Sequence, residues 1–171
     1  MDRTRYSQLA SGALVYTLAV VLWGAFVRAT GSGAGCGAHW PLCNGEVIPH
    51  TGRIETLIEL SHRITAGLSV AFGAAVAFFG MRLYPKHHRV RRAAVASFAF
   101  VLGEALIGAA LVLYKLVAHD DSMKRAISMP LHLVNTFFLM GALAMTAWWS
   151  REKSPNAISF RKQGIVGALL A

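Results

Sequence analysis

The chain has 171 residues, of which 55% are hydrophobic, and its formal net charge at neutral pH is +9. The hydrophobic residues form blocks that are too long for a soluble globular domain, which this pattern therefore excludes. The basic residues are sorted by connecting loop, and this sorting argues against a nucleic-acid partner and in favour of membrane topology.

Four long apolar blocks predict four transmembrane helices. They run from Leu9 to Val27, from Leu57 to Leu83, from Ala93 to Val117 and from Ile127 to Trp149. Arg3 and Arg5 precede the first block, as basic residues precede a signal peptide. The block is longer than a usual signal core, however, and no clear small-residue cleavage site follows it. We therefore expect a retained helix.

A fifth apolar block, residues 164–171, is cut off by the end of the chain. Its eight residues cannot cross about 30 Å of hydrocarbon, because a helix rises only ~1.5 Å per residue. We expect residues 1–163 to form one four-helix transmembrane half, and residues 164–171 to be the truncated start of a fifth helix or a stub against the bundle.

The distribution of positive charge predicts the orientation of the helices. Basic residues concentrate before the first block and in the second and fourth connections, namely Arg3, Arg5, Lys86, Arg89, Arg91, Arg92, Arg151, Lys153, Arg161 and Lys162. Basic loops stay in the cytoplasm, so the N-terminus should be cytoplasmic and the first connection should lie outside. The fold class is then an all-α, antiparallel four-helix membrane bundle.

The long first connection, residues 28–56, is rich in glycine and contains both cysteines, Cys36 and Cys43. Such a stretch cannot extend a helix, and we expect a folded cap. We expect the two cysteines to form a disulfide, because disulfides persist outside the cytoplasm. A metal-binding or free-thiol pair is the alternative, but no second close cysteine pair completes a zinc site.

Two histidines are the leading candidates for a metal centre. His62 and His132 each lie five residues inside the predicted start of a span that runs inward, at a depth of about 8 Å. Two imidazoles at matching depth on parallel helices could hold a haem iron from opposite faces. Ala66, Ser69 and Gly73 follow on the His62 face and should leave a shallow surface for a flat macrocycle.

Spacing alone leaves other interpretations open. Either histidine by itself is more often a hydrogen-bonded helix residue near the membrane interface. Glu59, three residues before His62, could be a favourable charge at a helix N-terminus or a group that transfers protons. The E-x-x-H pattern also occurs in di-iron bundles, but those need a second such motif and more carboxylates.

Three charged residues near or within the spans are further candidates. Arg28 and Arg63 lie at the outer boundary, where a guanidinium could pair with a haem propionate or simply extend to the interface. Glu104 falls near the middle of the third span, where a carboxylate should face the bundle interior, neutral or paired.

Three motifs, in this order, resemble those of the haem A synthase family. The first outer loop of that family is similar to the run from Val27 to Cys36 followed by that from His39 to Gly45. The second-helix motif is similar to Glu59-Leu60-Ser61-His62-Arg63, and the start of the fourth helix is similar to Leu131-His132-Leu133-Val134-Asn135. The resemblance covers nearly the whole chain.

The resemblance implies an architecture and an activity. Family members have eight membrane helices in two similar halves, each with a histidine pair, and oxidise a ring methyl group of haem O to the formyl group of haem A for cytochrome oxidase. His62 and His132 would then face the haem O substrate, Glu59 would be required for the reaction, and Cys36 and Cys43 would form a disulfide. The haem B cofactor would belong to a C-terminal half that this chain lacks. Glu104 departs from the neutral polar residue expected there.

The resemblance also implies a setting. We expect a multi-pass protein of the plasma membrane whose haem site lies near the outer face. Its partners would be the lipid bilayer, a haem O synthase and an unidentified electron donor. Whether it forms a homo-oligomer is left open. The competing interpretations are a cytochrome b-type electron-transfer subunit and a non-enzymatic protein for haem handling or oxidase assembly. The cytochrome b interpretation is disfavoured, because such proteins usually stack two haems across the membrane and no histidine here lies in the inner half of a span.

Overall fold

The computed structural model describes residues 1–50, 52–117 and 122–151, and its main elements are four long α-helices. α1 spans Arg3–Ala29, α2 spans Ile54–Leu83, α3 spans Arg89–Leu113 and α4 spans Met123–Arg151. All four are long and apolar enough to cross a membrane. The predicted all-α, multi-pass membrane fold is confirmed. The predicted start of a fifth helix lies outside the described residues, as does His119.

The four helices form a ring in which each contacts two neighbours. α1 and α3 each pack against both α2 and α4, so α2 and α4 lie diagonally across the bundle. The glycine-rich loop joins α1 to α2, and we call the end of the bundle that carries it the loop end. The other end, here the basic end, carries Arg3, Arg5, Arg82, Lys86, Arg89, Arg91, Arg92 and Arg151.

The helices begin earlier than the apolar blocks. α1 starts at Arg3 because Asp2 caps it, accepting a hydrogen bond at Oδ1 from the Arg5 backbone N–H at 2.8 Å. At the loop end, α2 begins three residues before its predicted start and α4 begins four residues before its own, and most of these added residues are polar. Polar first turns carry no hydropathy signal, which is why the apolar blocks alone place these starts too late.

The third helix ends four residues before the predicted Val117. Leu116 N–H donates to the Leu111 carbonyl at 2.8 Å and Lys115 N–H to the Val112 carbonyl at 3.0 Å, the two bonds of a Schellman motif. Lys115 takes the left-handed conformation, φ 57°, that glycine usually supplies. Leu116 is buried, so the apolar pattern continues past the last helical residue.

The two halves of the bundle are packed differently. A core of buried side chains lies toward the basic end, formed by Tyr6, Ala13, Val76, Tyr84, Val90, Ala94, Val101, Leu139 and Leu143. Every buried residue of α4 comes after Phe138, and none of residues 123–138 is buried. The loop half of α4, which includes His132, is therefore more exposed than its other half.

Candidate functional site

His62 lies on α2, eight residues after its start, and its ring faces α1. The imidazole packs against Gly24, where a Cβ atom would fall 2.9 Å from Cε1 and 3.1 Å from Nε2. Nδ1 is buried and has no hydrogen-bond partner among the described residues. An imidazole nitrogen left unsatisfied inside an apolar span is costly unless a ligand engages the ring.

Two side chains of α1 bind α2 on either side of His62. Trp23 Nε1 donates to Ser61 Oγ at 3.1 Å, and the Tyr16 hydroxyl donates to the Thr65 carbonyl at 3.1 Å. These bonds hold the two helices in register at the depth of the histidine. Neither was predicted, because a contact between separate helices leaves no local sequence pattern.

His132 lies on α4, nine residues after its start, and is paired with α3. Its Nδ1 lies 2.8 Å from Glu104 Oε2, within ion-pair distance although the ring N–H is not aligned for a hydrogen bond. Glu104 Oε1 accepts a hydrogen bond from the Thr136 hydroxyl. The expectation that Glu104 faces the interior and is paired is confirmed, and His132 is its partner.

Small or polar residues of α3 and α4 surround this pair. On α3, a Cβ at Gly108 would be 4.0 Å from His132 Cε1, so this glycine leaves room beside the ring. Asn135 Nδ2 donates to the Phe100 carbonyl at 2.9 Å. Pro130, two residues before His132, has no N–H to donate to the carbonyl one turn earlier, an interruption that sequence analysis overlooked.

The structure places the two histidines at similar distances from the loop end of the bundle. His62 lies eight residues after the start of α2, and His132 lies nine residues after the start of α4. They lie on the diagonal pair of helices.

The predicted shallow surface on the His62 face is only partly present. Gly73 is buried, and a Cβ there would fall 2.8 Å from Val101 Cγ1 of α3, so α3 fills the basic-end part of that face. Ser69 is buried as well, whereas Ala66 is half-buried. The prediction was wrong for Gly73, because a small residue in a membrane bundle serves equally well for close helix packing.

Glu59 lies one turn before His62 and faces the loop. Its side chain is 4% exposed; Oε2 accepts a hydrogen bond from the Cys36 backbone N–H at 2.7 Å, and Oε1 accepts from Arg63 Nε at 3.1 Å and Nη2 at 2.5 Å. Both oxygens therefore have partners. Glu59 ties the loop to α2 immediately above the histidine.

Arg63 completes this attachment. Its Nη1 donates to the carbonyls of His39 at 2.5 Å and Leu42 at 2.6 Å, on either side of Trp40 and Pro41. Its N–H groups are thus engaged by Glu59 and the loop. Arg28 is exposed in the last turn of α1. A propionate role for either arginine stays a prediction.

The loop itself is folded, as expected for a cap. Cys36 and Cys43 form a disulfide, and the backbone pairs at Cys43 and Glu46 through bonds of 2.8 and 3.0 Å. Thr56 Oγ1 donates to the Gly35 carbonyl at 2.8 Å. A Cβ at Gly35 would overlap the backbone between Glu55 and Thr56, so glycine is required there for close packing on α2.

The donor set fits a haem better than a bare metal ion. No group of three or more His, Cys, Asp or Glu side chains suited to a metal ion occurs within residues 1–50, 52–117 and 122–151. Two imidazoles are an incomplete set for a free ion but a complete axial set for an iron that brings its own macrocycle. The unsatisfied Nδ1 of His62 and the exposure of α4 near His132 agree with this fit.

The fold and this site define a multi-pass helical membrane protein with a histidine pair beneath a disulfide-bonded loop. Residues 7–171 match the family model of COX15-CtaA, described as cytochrome oxidase assembly protein. The chain belongs to this family, and the predicted resemblance is confirmed.

Several curated proteins are similar to the chain. A protein of Thermus thermophilus named protoheme IX farnesyltransferase is 47% identical over 167 residues, which are 98% of this chain and 27% of that protein. Proteins named heme A synthase from Bacillus mycoides and Bacillus anthracis are 43% identical over 97 residues, 57% of this chain and 31% of theirs. The chain thus spans between a quarter and a third of these relatives' length. No solved structure matches it.

Proposed function

We propose that this chain is the substrate-binding half of a haem A synthase, which oxidises a ring methyl group of haem O to a formyl group. The observation that carries the proposal is the His62–His132 pair, at matched depth on the diagonal helices α2 and α4. Membership of the COX15-CtaA family and the similarity to proteins named heme A synthase support the same activity.

Each residue of the site has a part in this proposal. His62 and His132 would hold the haem iron, and the haem, when bound, would supply the redox-active centre. Glu59 and Arg63 keep the Cys36–Cys43 loop closed over the site and limit the access of water. In this proposal Glu59 acts by holding the loop on α2, and its part in proton transfer stays a prediction.

The proposed partners follow from the chemistry of the substrate. Haem O carries a farnesyl-derived chain, so a haem O synthase must supply it. The Thermus protein supports such a coupling, because a protein named for farnesyl transfer to protohaem IX contains a segment similar to this chain. The haem B cofactor would lie in a further half of the enzyme, and an electron donor would complete the reaction.

The proposed setting is the plasma membrane, with the N-terminus in the cytoplasm. The concentration of arginine and lysine at the basic end supports this orientation, since positive loops stay inside. The loop end and the histidine pair would then lie near the outer surface. Reporter fusions at residues 45 and 87 test the orientation. A reporter that is active only outside the cytoplasm should be active at residue 45 and inactive at residue 87, and the reverse pattern would contradict the proposed orientation.

Analysis of extracted haems tests the function. The protein is produced in cells that make haem O, purified, and its haems are separated and identified by mass. Hydroxylated or formyl haem is expected for the native protein, and its loss is expected for His62→Ala and His132→Ala. His50→Ala, in an exposed part of the loop, is the control. Recovery of unmodified haem B alone would contradict the proposal and favour a cytochrome b-type electron carrier.

A further inference from the structure

Glu104 is an acidic residue in the middle of a transmembrane helix, and its carboxylate contacts one of the two histidines directly. The side chain is 14% exposed, with Oε2 2.8 Å from His132 Nδ1. Oε1 is hydrogen-bonded to the hydroxyl of Thr136, which also lies 2.9 Å from the His132 carbonyl. Because ionisable residues inside spans are costly, such a placement marks a functional role.

The approach of the Glu104 carboxylate to His132 favours one tautomer of the imidazole. A carboxylate placed 2.8 Å from Nδ1 favours hydrogen on that nitrogen, although the N–H is not aligned for a hydrogen bond in this orientation of the ring. Nε2 of His132 is then left with its electron pair. Among the described residues, Nδ1 of His62 has no hydrogen-bond partner.

We infer that Glu104 is a positioning residue that fixes His132 in the Nδ1–H tautomer and presents Nε2 to the haem iron. This inference rests on the proposed function, because it assigns Nε2 to a haem. Carboxylates that accept from a ligating imidazole orient the ring and raise its basicity, which strengthens the bond to the metal. Thr136 holds the carboxylate in place for this task.

The tautomer can be read in protein that contains no haem. Nitrogen NMR of protein with labelled histidine, in mildly alkaline buffer, separates a protonated ring nitrogen from a bare one. Native His132 should show hydrogen on Nδ1, and Glu104→Leu should shift it toward Nε2. Ser97→Ala is the matched control, since it removes a buried hydroxyl from the same α3–α4 interface far from His132. Hydrogen on Nε2 in the native protein would overturn the inference.

Haem titration provides the second measurement. Glu104→Leu should weaken haem binding by roughly 10-fold or more and raise the reduction potential of the bound iron. Glu104→Gln keeps an acceptor oxygen without the charge, so it should preserve the tautomer while still raising the potential. An unchanged potential in both variants would also overturn the inference. If the native tautomer is found but no haem binds, it is the proposed function that fails.

Discussion

Gly24 of α1 and His62 of α2 are in direct contact, and the contact leaves no room for a side chain on α1. A Cβ at position 24 would approach Cε1 of the imidazole to 2.9 Å and Nε2 to 3.1 Å. Real Cβ atoms rarely tolerate such distances, so either the ring or the helix must move. The position of His62 therefore depends on a glycine outside its own helix.

Gly24→Ala should displace the His62 ring and weaken haem binding by roughly 10-fold, the range found when groups that support a metal ligand are altered. The helical content should not change, because alanine favours a helix. Gly12→Ala is the control, since a Cβ there meets nothing within 4 Å. The measurement is a haem titration followed by absorption; equal affinity in the two variants would show that Gly24 does not position the ring.

Much of the fold was predictable from the sequence, because a membrane imposes a length and an apolar composition on each helix. The four helices were identified correctly. Among their C-terminal ends the largest error was four residues, at α3, where Lys115 replaces the usual glycine of the terminal turn. Hydropathy could not reveal this end, since the turn is followed by the buried Leu116.

The candidate site was predictable only in its local part. The matching positions of His62 and His132 follow from the apolar pattern, although they lie eight and nine residues after the helix starts and not five as predicted. The burial of Glu104 follows from its place in a span. Its pairing with His132 and the contact of Gly24 with His62 depend on which helices become neighbours. Arg63 shows the same limit: its sequence position indicates the membrane boundary, but not the loop carbonyls that it binds.

Arg63→Ala should destabilise the protein by roughly 3 to 5 kcal/mol, because it leaves the carboxylate of Glu59 buried without its charged partner. The loop should also become sensitive to proteases. The control is Arg5→Ala, which breaks an ion pair with Asp2 whose side chains are 77% and 63% exposed, and should cost less than about 1 kcal/mol. Unfolding in a detergent titration measures both. Similar losses would mean that Arg63 does not hold the loop.

Lys115→Gly should stabilise the protein by about 1 kcal/mol, because glycine removes the steric cost of the left-handed conformation at the end of α3. Lys115→Ala removes the same exposed side chain but keeps a Cβ, and should give no such gain. Thermal unfolding of the two variants compares them directly. A gain shared by both would trace the effect to the lysine charge rather than to the backbone.

His88 at the basic end should make stability depend on pH. Its Nδ1 accepts a hydrogen bond from the Val90 N–H at 3.2 Å and so caps α3. Burial lowers the pKa of His88, and the charges of Arg3 and Arg89 lower it further; the Tyr84 ring lies tilted against it, with 4.6 Å between the ring centroids. The unfolded chain therefore binds the proton more readily than the folded protein. The contribution of His88 is complete above pH ~6.5 and is lost as the pH falls through the lower, folded-state pKa.

His88→Asn should remove this part of the pH dependence, because asparagine caps a helix without titrating. Unfolding measured from neutral to mildly acidic pH should show a smaller slope for His88→Asn than for the native protein. His87→Asn, at the adjacent position, should retain the native slope. If instead His88→Asn keeps the native slope, protonation at another group governs the acid sensitivity and the His88 side chain does not act as the titrating cap of α3.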